Sequence, residues 1–316
     1  MTPLDPFGAR RRQLVAGSGA IALGGLLGAP ALWAQANAAY EPQRGQSGKD
    51  VIWIPTPDAL VTRMLRMAQL TPKDYLIDLG SGDGKIVIAA AREGAQGLGI
   101  EYNPDMVELS RRRAREALVA ERARFEKADI FESDFSRATV ITMYLLPHLN
   151  LRLRHRILAL KPGTRVVSHE FRMGRWQPDE TARVGTASVH LWLVPANAGG
   201  EWTLSFPQGG QPVSLPLKLH QSFQLLRGQV GYTDFEAQLR EARVAGEQVS
   251  FGFTDELGHL RRFVGRLEGD SISGSVYDFS AGGARAPFSA RRREAPPPFD
   301  GAAQAPENEA ESLGAE

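Results

Sequence analysis

The sequence predicts an α/β domain built on β-α repeats, followed by a smaller all-β domain. Three observations predict it. Tyr75 to Ala91 runs as an apolar strand, a glycine-rich turn and a helix with an apolar face. Strand-like and helix-like stretches then alternate as far as Val194. After Pro195 the helical period stops, and short alternating runs separated by Gly, Asp and Pro take over, the pattern of an antiparallel barrel or sandwich.

Composition bounds the reading. The 316 residues suffice for two domains and tails, and 42% hydrophobic with 23% charged is an ordinary globular balance. A formal charge of +1 supplies no field to recruit nucleic acid. The absence of cysteine excludes disulfides, thiolate-zinc sites and cysteine nucleophiles.

Taken in order, residues 1–38 read as a twin-arginine-type export signal. Arg10-Arg11-Arg12 precedes a mildly apolar run from Ala16 to Trp33, then Ala34-Gln-Ala36 and Ala36-Asn-Ala38 offer small-x-small cleavage sites. Five glycines and Pro30 within that run suit neither a core helix nor a membrane span. The expected location is periplasmic, with the cytoplasm as the alternative and only a transient membrane association through this segment. Residues 39–52 read as a linker. Trp53-Ile-Pro-Thr-Pro57 then opens a helix, with Thr56 as cap, Pro57 in the first turn and Leu60, Met64 and Met67 as the buried stripe.

The first strand ends at Asp78, and glycines follow at 80, 82 and 84. Gly97-Leu-Gly-Ile-Glu101 is the second strand and also ends in an acid. Asn103-Pro104-Asp105 starts the next helix as cap, first-turn proline and dipole complement. The Arg111–Arg115 run on that helix reads as a solvated outer face. Asp129 follows the third strand, and Thr139 to Tyr144 forms the fourth, with Leu145-Leu-Pro-His148 at its carboxyl end. Arg165 to Phe171 is the fifth, and two more strands near 181–186 and 188–194 complete a seven-stranded sheet whose last strand is antiparallel. Eight strands are expected between 202 and 290, Phe235–Val244 among them as one strand. Trp202, Phe206, Phe223, Phe251, Phe253 and Tyr277 are its core, or alternatively a ligand or peptide platform. Residues 294–316, with three consecutive prolines and five glutamates, form a disordered acidic tail. The expected domains are therefore 53–197 and 198–293.

Dinucleotide-binding folds use G-x-G-x-x-G, whereas this chain has Asp-x-Gly-x-Gly-x-Gly. That form, with an acid ending the next strand, resembles motif I of the Rossmann-like, seven-strand S-adenosylmethionine-dependent methyltransferases. The resemblance implies S-adenosylmethionine as cofactor, with Glu101 accepting from the ribose hydroxyls and Asp129 facing the adenine amino group. Asp78, Gly80, Ser81, Gly82, Gly84, Tyr102 and Ile130 complete the expected cofactor set, and Thr56 is expected at the methionine end. From about 51 to 178 the chain is similar to one branch, the lysine methyltransferases of the mitochondrial ATP synthase c-subunit and adenine nucleotide translocator and their bacterial relatives. The features are Trp53-Ile-Pro-Thr-Pro57, Asp78 to Val87, Gly99 to Pro104, Leu145-Leu-Pro147 and Pro162 to Ser168 before Phe171.

The resemblance implies methyl transfer to protein lysine by in-line displacement. Acceptor-side candidates are Tyr144, Pro147 and His148 after strand four, and His169 and Glu170 after strand five. His148 is the expected general base, its alternative being a helix-start histidine with no catalytic part. No Asn/Asp-Pro-Pro-Tyr signature follows strand four, which argues against methylation of adenine N6 or glutamine amide. No His/Asp cluster has metal-ligand spacing. The alternatives are a small-molecule O- or N-methyltransferase and a non-catalytic exported protein that binds S-adenosylmethionine and a ligand. A nicotinamide dehydrogenase is disfavoured by the glycine spacing.

Overall fold

A computed structural model describes residues 40–49, 52–299 and 301. Residues 1–38, read above as an export signal, and most of 294–316, read as an acidic tail, lie outside the described residues.

Runs of four to seven residues, too short for helices, pair into a seven-stranded sheet, the central ones apolar and the edges β3 and β6 more polar. Its strands are β1 (Tyr75–Leu79), β2 (Gln96–Glu101), β3 (Ala123–Lys127), β4 (Val140–Met143), β5 (Arg165–His169), β6 (Glu180–Val184) and β7 (Ala187–Leu193). Their order is β3-β2-β1-β4-β5-β7-β6. The first five are parallel, and β7 runs antiparallel to both its neighbours. Helices α1 (Asp58–Met67), α2 (Lys85–Arg92), α3 (Pro104–Glu116) and α4 (Pro147–Leu158) cover the faces. The carboxyl ends of β1, β2 and β3 lie side by side where strand order reverses between β1 and β4, the place where open α/β sheets bind ligands.

The helix starts follow their local chemistry. Asn103 caps α3, its side chain accepting from the backbone N–H of Asp105 (2.9 Å) and Met106 (3.4 Å). Leu60, Met64 and Met67 of α1 are buried against the sheet. Thr56 does not cap that helix: Pro57 holds the cap position without a side-chain bond, while the Thr56 hydroxyl turns inward, 3.3 Å from His169 Nδ1. The Arg111–Arg115 run is not wholly a solvated face either, because Arg113 pairs with Asp83 of the glycine turn at 2.5 Å.

The stretch before Trp53 packs back onto the sheet. Gly45 N–H donates to the Trp53 carbonyl, and Trp53 N–H to that of Gln46. Residues 46–49 with Ile52 and Trp53 line the strand-end cavity as a strap, and Lys49 pairs with Asp129 beyond β3.

The C-terminal strands are β8 (Gly200–Gln208), β9 (Gln211–Ser222), β10 (Leu225–Gly231), β11 (Glu236–Gln238), β12 (Arg240–Ala245), β13 (Gln248–Thr254), β14 (Leu260–Glu268), β15 (Ser271–Asp278) and β16 (Ala284–Arg292). They are antiparallel throughout, and the pairing of β9 with β10 closes the sheet on itself. The result is a barrel. The expected single strand over 235–244 is broken at Leu239, and a register shift follows between Arg240 and Arg243. Glu241, at φ 48°, makes the bulge. Trp202, Phe206, Phe251 and Phe253 fill the interior, with Phe251 and Phe253 stacked on Phe263 at 4.8 and 5.3 Å between centroids. They are core, not a platform. Two of the expected six differ: Tyr277 is half-buried outside this cluster, and Phe223 packs into the core beneath the seven-stranded sheet.

Candidate functional site

At the carboxyl end of the sheet lies a cavity of about 260 Å³. Asp78, Glu101 and Asp129, at the ends of three adjacent strands, all line it. So do Thr56, Gly80, Ser81, Gly82, Tyr102, Ile130 and Tyr144, together with Asp83, Lys85, Leu145, Leu146, Leu149 and Phe171. Of the residues expected from the sequence, five do not line it: Gly84, Pro147, His148, His169 and Glu170. Gly84 sits below the turn at φ 77°, where a Cβ would come within 2.8 Å of Phe125 and Ser110; its part is to let α2 start, not to face a ligand. Pro147 and His148 form the first turn of α4, and His148 is exposed and outside the cavity. The expectation of His148 as general base is corrected accordingly, since the helix begins at Pro147 and turns the next side chain outward.

The turn between β1 and α2 is tightly determined. Gly82 takes φ 52°, and a Cβ there would meet Trp53 Nε1 at 2.7 Å. Glycine is thus required by both backbone and strap. Glu101 fastens the turn from below: one carboxylate oxygen accepts from Gly82 N–H and the other from Asn103 N–H, each at 2.9 Å. A carboxylate oxygen has a second acceptor direction, so Glu101 can anchor the turn and still face the cavity.

Asp78 is the most perturbed acid. It is 3% exposed and accepts from the Thr142 hydroxyl at 2.7 Å. Burial pushes its pKa up to about 7; Asp83 and Glu101 add to the rise, and the Thr142 bond opposes it. Asp129 is the opposite case. Lys49 of the strap donates to it at 2.5 Å and Phe131 N–H at 2.9 Å. These bonds, the Lys49 one foremost, hold the Asp129 carboxyl below the usual range. Lys49 also lies 4.9 Å from the Tyr102 ring centre. Three carboxylates in one cleft therefore have three environments: buried with a raised pKa at β1, backbone-bonded at β2, cation-paired beyond β3.

The opposite wall of the cavity is aromatic. Tyr144 follows β4 and Phe171 follows β5, their rings near-parallel (17°) with centroids 6.1 Å apart. His169 lies behind them, 5% exposed, its ring 3.8 Å from that of Tyr144. Burial lowers the His169 pKa, the charge of Glu170 partly opposing, so the imidazole is neutral at pH 7. Burial, with Glu170 next, raises the Tyr144 pKa, which keeps the phenol protonated. Glu170 sits at φ 66°, unusual for a residue with a side chain, and bridges to β7: its N–H donates to the Ser188 carbonyl and its carboxylate accepts from Ser188 N–H.

Sequence reading missed the strap, Lys49 and Trp53 included, because nothing in a polar Gly-containing stretch shows that it folds back. It also missed Leu149 and Phe171, which reach the site from two different elements. The signal for Phe171 was its place just past a strand end.

The residues present fit S-adenosylmethionine. The Ser81 hydroxyl is buried in the cavity wall without a hydrogen-bond partner, which a polar ligand would satisfy. The three acids offer acceptors to an amine, a diol and an exocyclic amine. Fold and site define an S-adenosylmethionine-dependent methyltransferase.

Comparison with known proteins agrees. Residues 78–180 match the ANTKMT methyltransferase domain. A protein-lysine N-methyltransferase of Saccharolobus islandicus is 41% identical over 151 residues, covering 46% of this chain and 94% of that protein. The mouse lysine N-methyltransferase of the ATP synthase c-subunit is 34% identical over 161 residues, 51% of this chain and 62% of that one. A solved Salinibacter ruber RNA methyltransferase bound to S-adenosyl-L-homocysteine is 51% identical, covering 45% of this chain and 94% of that chain, with a TM-score of 0.45. The chain belongs to the methyltransferase family of the archaeal protein-lysine enzyme.

Proposed function

We propose that this protein transfers a methyl group from S-adenosylmethionine to a lysine side chain of another protein. The observation that carries the reading is the aromatic wall of Tyr144 and Phe171 facing the acid-lined half of one cleft. When bound, S-adenosylmethionine supplies an electrophilic sulfonium methyl. Asp78, Ser81, Glu101 and Asp129 would hold it, leaving alignment and an uncharged nucleophile to the acceptor side.

A lysine amine has a pKa of about 10.4 in water and must shed its proton before attack. Placing it against two aromatic rings in a half-buried mouth disfavours the ammonium and lowers that value. The Tyr144 oxygen can accept a hydrogen bond from the amine and aim its lone pair. His169 contacts Thr56 and Tyr144 from behind, so its part is to fix the ring. The similarity to lysine methyltransferases, over 46% of the chain for one relative and 51% for the other, supports the acceptor class. We place the acceptor in the exported or envelope fraction, a reading that rests on the export signal expected at residues 1–38.

The test is transfer of isotopically labelled methyl to envelope and periplasmic extracts from a strain lacking the gene, with the modified residues read by mass spectrometry. Label on lysine is expected; label confined to small molecules would select the alternative reading. Tyr144→Phe is expected to lower kcat roughly tenfold, the loss of about one hydrogen bond, while leaving the Kd for S-adenosylhomocysteine within twofold.

A further inference from the structure

The loop Phe223-Gln224 joins β9 to β10, with Ser222 and Leu225 paired across it. A two-residue hairpin of this kind with positive φ only at its first position normally carries glycine there. Here the residue is phenylalanine, at φ 50°. A bulky side chain in that region is strained and persists only where its surroundings over-determine it.

Its surroundings belong to the other half of the protein, apart from Gly301 of the C-terminal segment, which lies against the ring edge. Phe223 is 5% exposed and packs with the cluster beneath the methyltransferase sheet, not with the barrel interior. Its ring stacks on Trp176 at 6.0 Å and 5° between planes, and the buried Arg154 guanidinium lies 5.2 Å from its centre. Gln224 beside it donates to the Gln177 carbonyl at 2.6 Å. The barrel thus grips Trp176 and Gln177 from one side.

Those two residues end a short segment, 171–177, whose other end is Phe171 in the cavity wall. Helix α4 holds the same segment: Asn150 donates to the carbonyls of Phe171 (3.3 Å) and Arg172 (3.2 Å), and Arg154 to that of Met173 (3.2 Å). Leu149 of α4 also lines the cavity. Phe223 therefore touches, through Trp176 and Arg154, both elements that build the acceptor wall. Among the described residues, none that lines the cavity comes from the barrel.

We propose that the Phe223-Gln224 hairpin tip is a positioning device for the methyl-acceptor side of the active site: the barrel's part in catalysis is to hold segment 171–177 and α4 in register. The archaeal relative is matched over 94% of its length by 151 residues, which leaves it no room for this barrel, so the device is an addition to the family core. The inference rests on the reading of the Tyr144–Phe171 wall as the acceptor mouth.

The test compares wild type with Phe223→Gly, which relieves the backbone while removing the ring, Phe223→Ala, and Phe223→Tyr, which keeps the ring. Hydrogen exchange is followed by mass spectrometry in full-length protein saturated with S-adenosylhomocysteine. Peptides covering 171–177 should exchange at least tenfold faster in the Gly and Ala variants and near the wild-type rate in Tyr. The Kd for S-adenosylhomocysteine should stay within twofold in all three, while kcat/KM for the lysine acceptor falls about tenfold in Gly and Ala only. Unchanged exchange at 171–177 alongside faster exchange in barrel peptides would overturn the proposal and leave Phe223 a simple staple. If wild type places no methyl on lysine, the lysine reading fails separately, and the exchange result still decides this one.

Discussion

Asp78→Asn is expected to weaken S-adenosylmethionine binding about a hundredfold and at the same time to stabilise the ligand-free protein at pH 8. Both effects come from one buried carboxyl. Its pKa is pushed up to about 7 because burial disfavours the charged form. A group whose pKa is higher folded than unfolded binds more protons in the native state between the two values, so native stability falls as pH rises through that window. For Asp78 the contribution is fully present below about pH 4 and lost as pH passes 7. Asparagine is neutral throughout and keeps an acceptor for Thr142. The variant should therefore be more stable than wild type by roughly 2–4 kcal/mol at pH 8, a difference that shrinks to nothing near pH 4. Urea titrations at both pH values measure it. Binding responds in the opposite sense. The ammonium of the cofactor's methionine end needs a charged partner, so wild-type affinity should fall as pH drops below 7. The asparagine variant should bind more weakly, with an affinity that stays flat between pH 6 and 7.5. Equal stability at pH 8, or an unchanged Kd, would remove Asp78 from this role.

Glu101→Ala is expected to weaken the same ligand by about 1.5–3 kcal/mol, roughly ten- to a hundredfold in Kd by calorimetry. The variant loses an acceptor for ribose hydroxyls, and it also frees Gly82 N–H and Asn103 N–H, which Glu101 now holds at 2.9 Å each. Glu101→Gln separates the two contributions. The amide keeps one acceptor oxygen but cannot accept at both ends, so it should recover part of the affinity. An affinity within twofold of wild type in the alanine variant would mean that the ribose sits elsewhere.

Much of the sheet was legible because its signals are local. Apolar strands ending in Asp78 and Glu101, the glycine spacing and the Asn103-Pro104 helix start each determine backbone within a few residues. The barrel strands were legible by alternation, apart from the break at Leu239, where the bulge depends on pairing with β10 and β13 and not on the residues themselves. The acceptor side was the least legible. His148 drew notice as an ionisable residue after a strand, yet its direction is decided by where α4 begins. Phe171 and Lys49 reach the cavity only through long-range packing, and Phe223 read as barrel core because its alternation fits the barrel. Only the structure shows it pointing the other way.

A crystal structure of the protein with S-adenosylhomocysteine tests the central claim most directly. The account predicts one ligand in the cleft, its amine toward Asp78, its ribose hydroxyls on Glu101, its adenine toward Asp129 and its sulfur facing Tyr144 and Phe171. A ligand touching only one of the three carboxylates, or bound with its sulfur turned away from the aromatic wall, would contradict it.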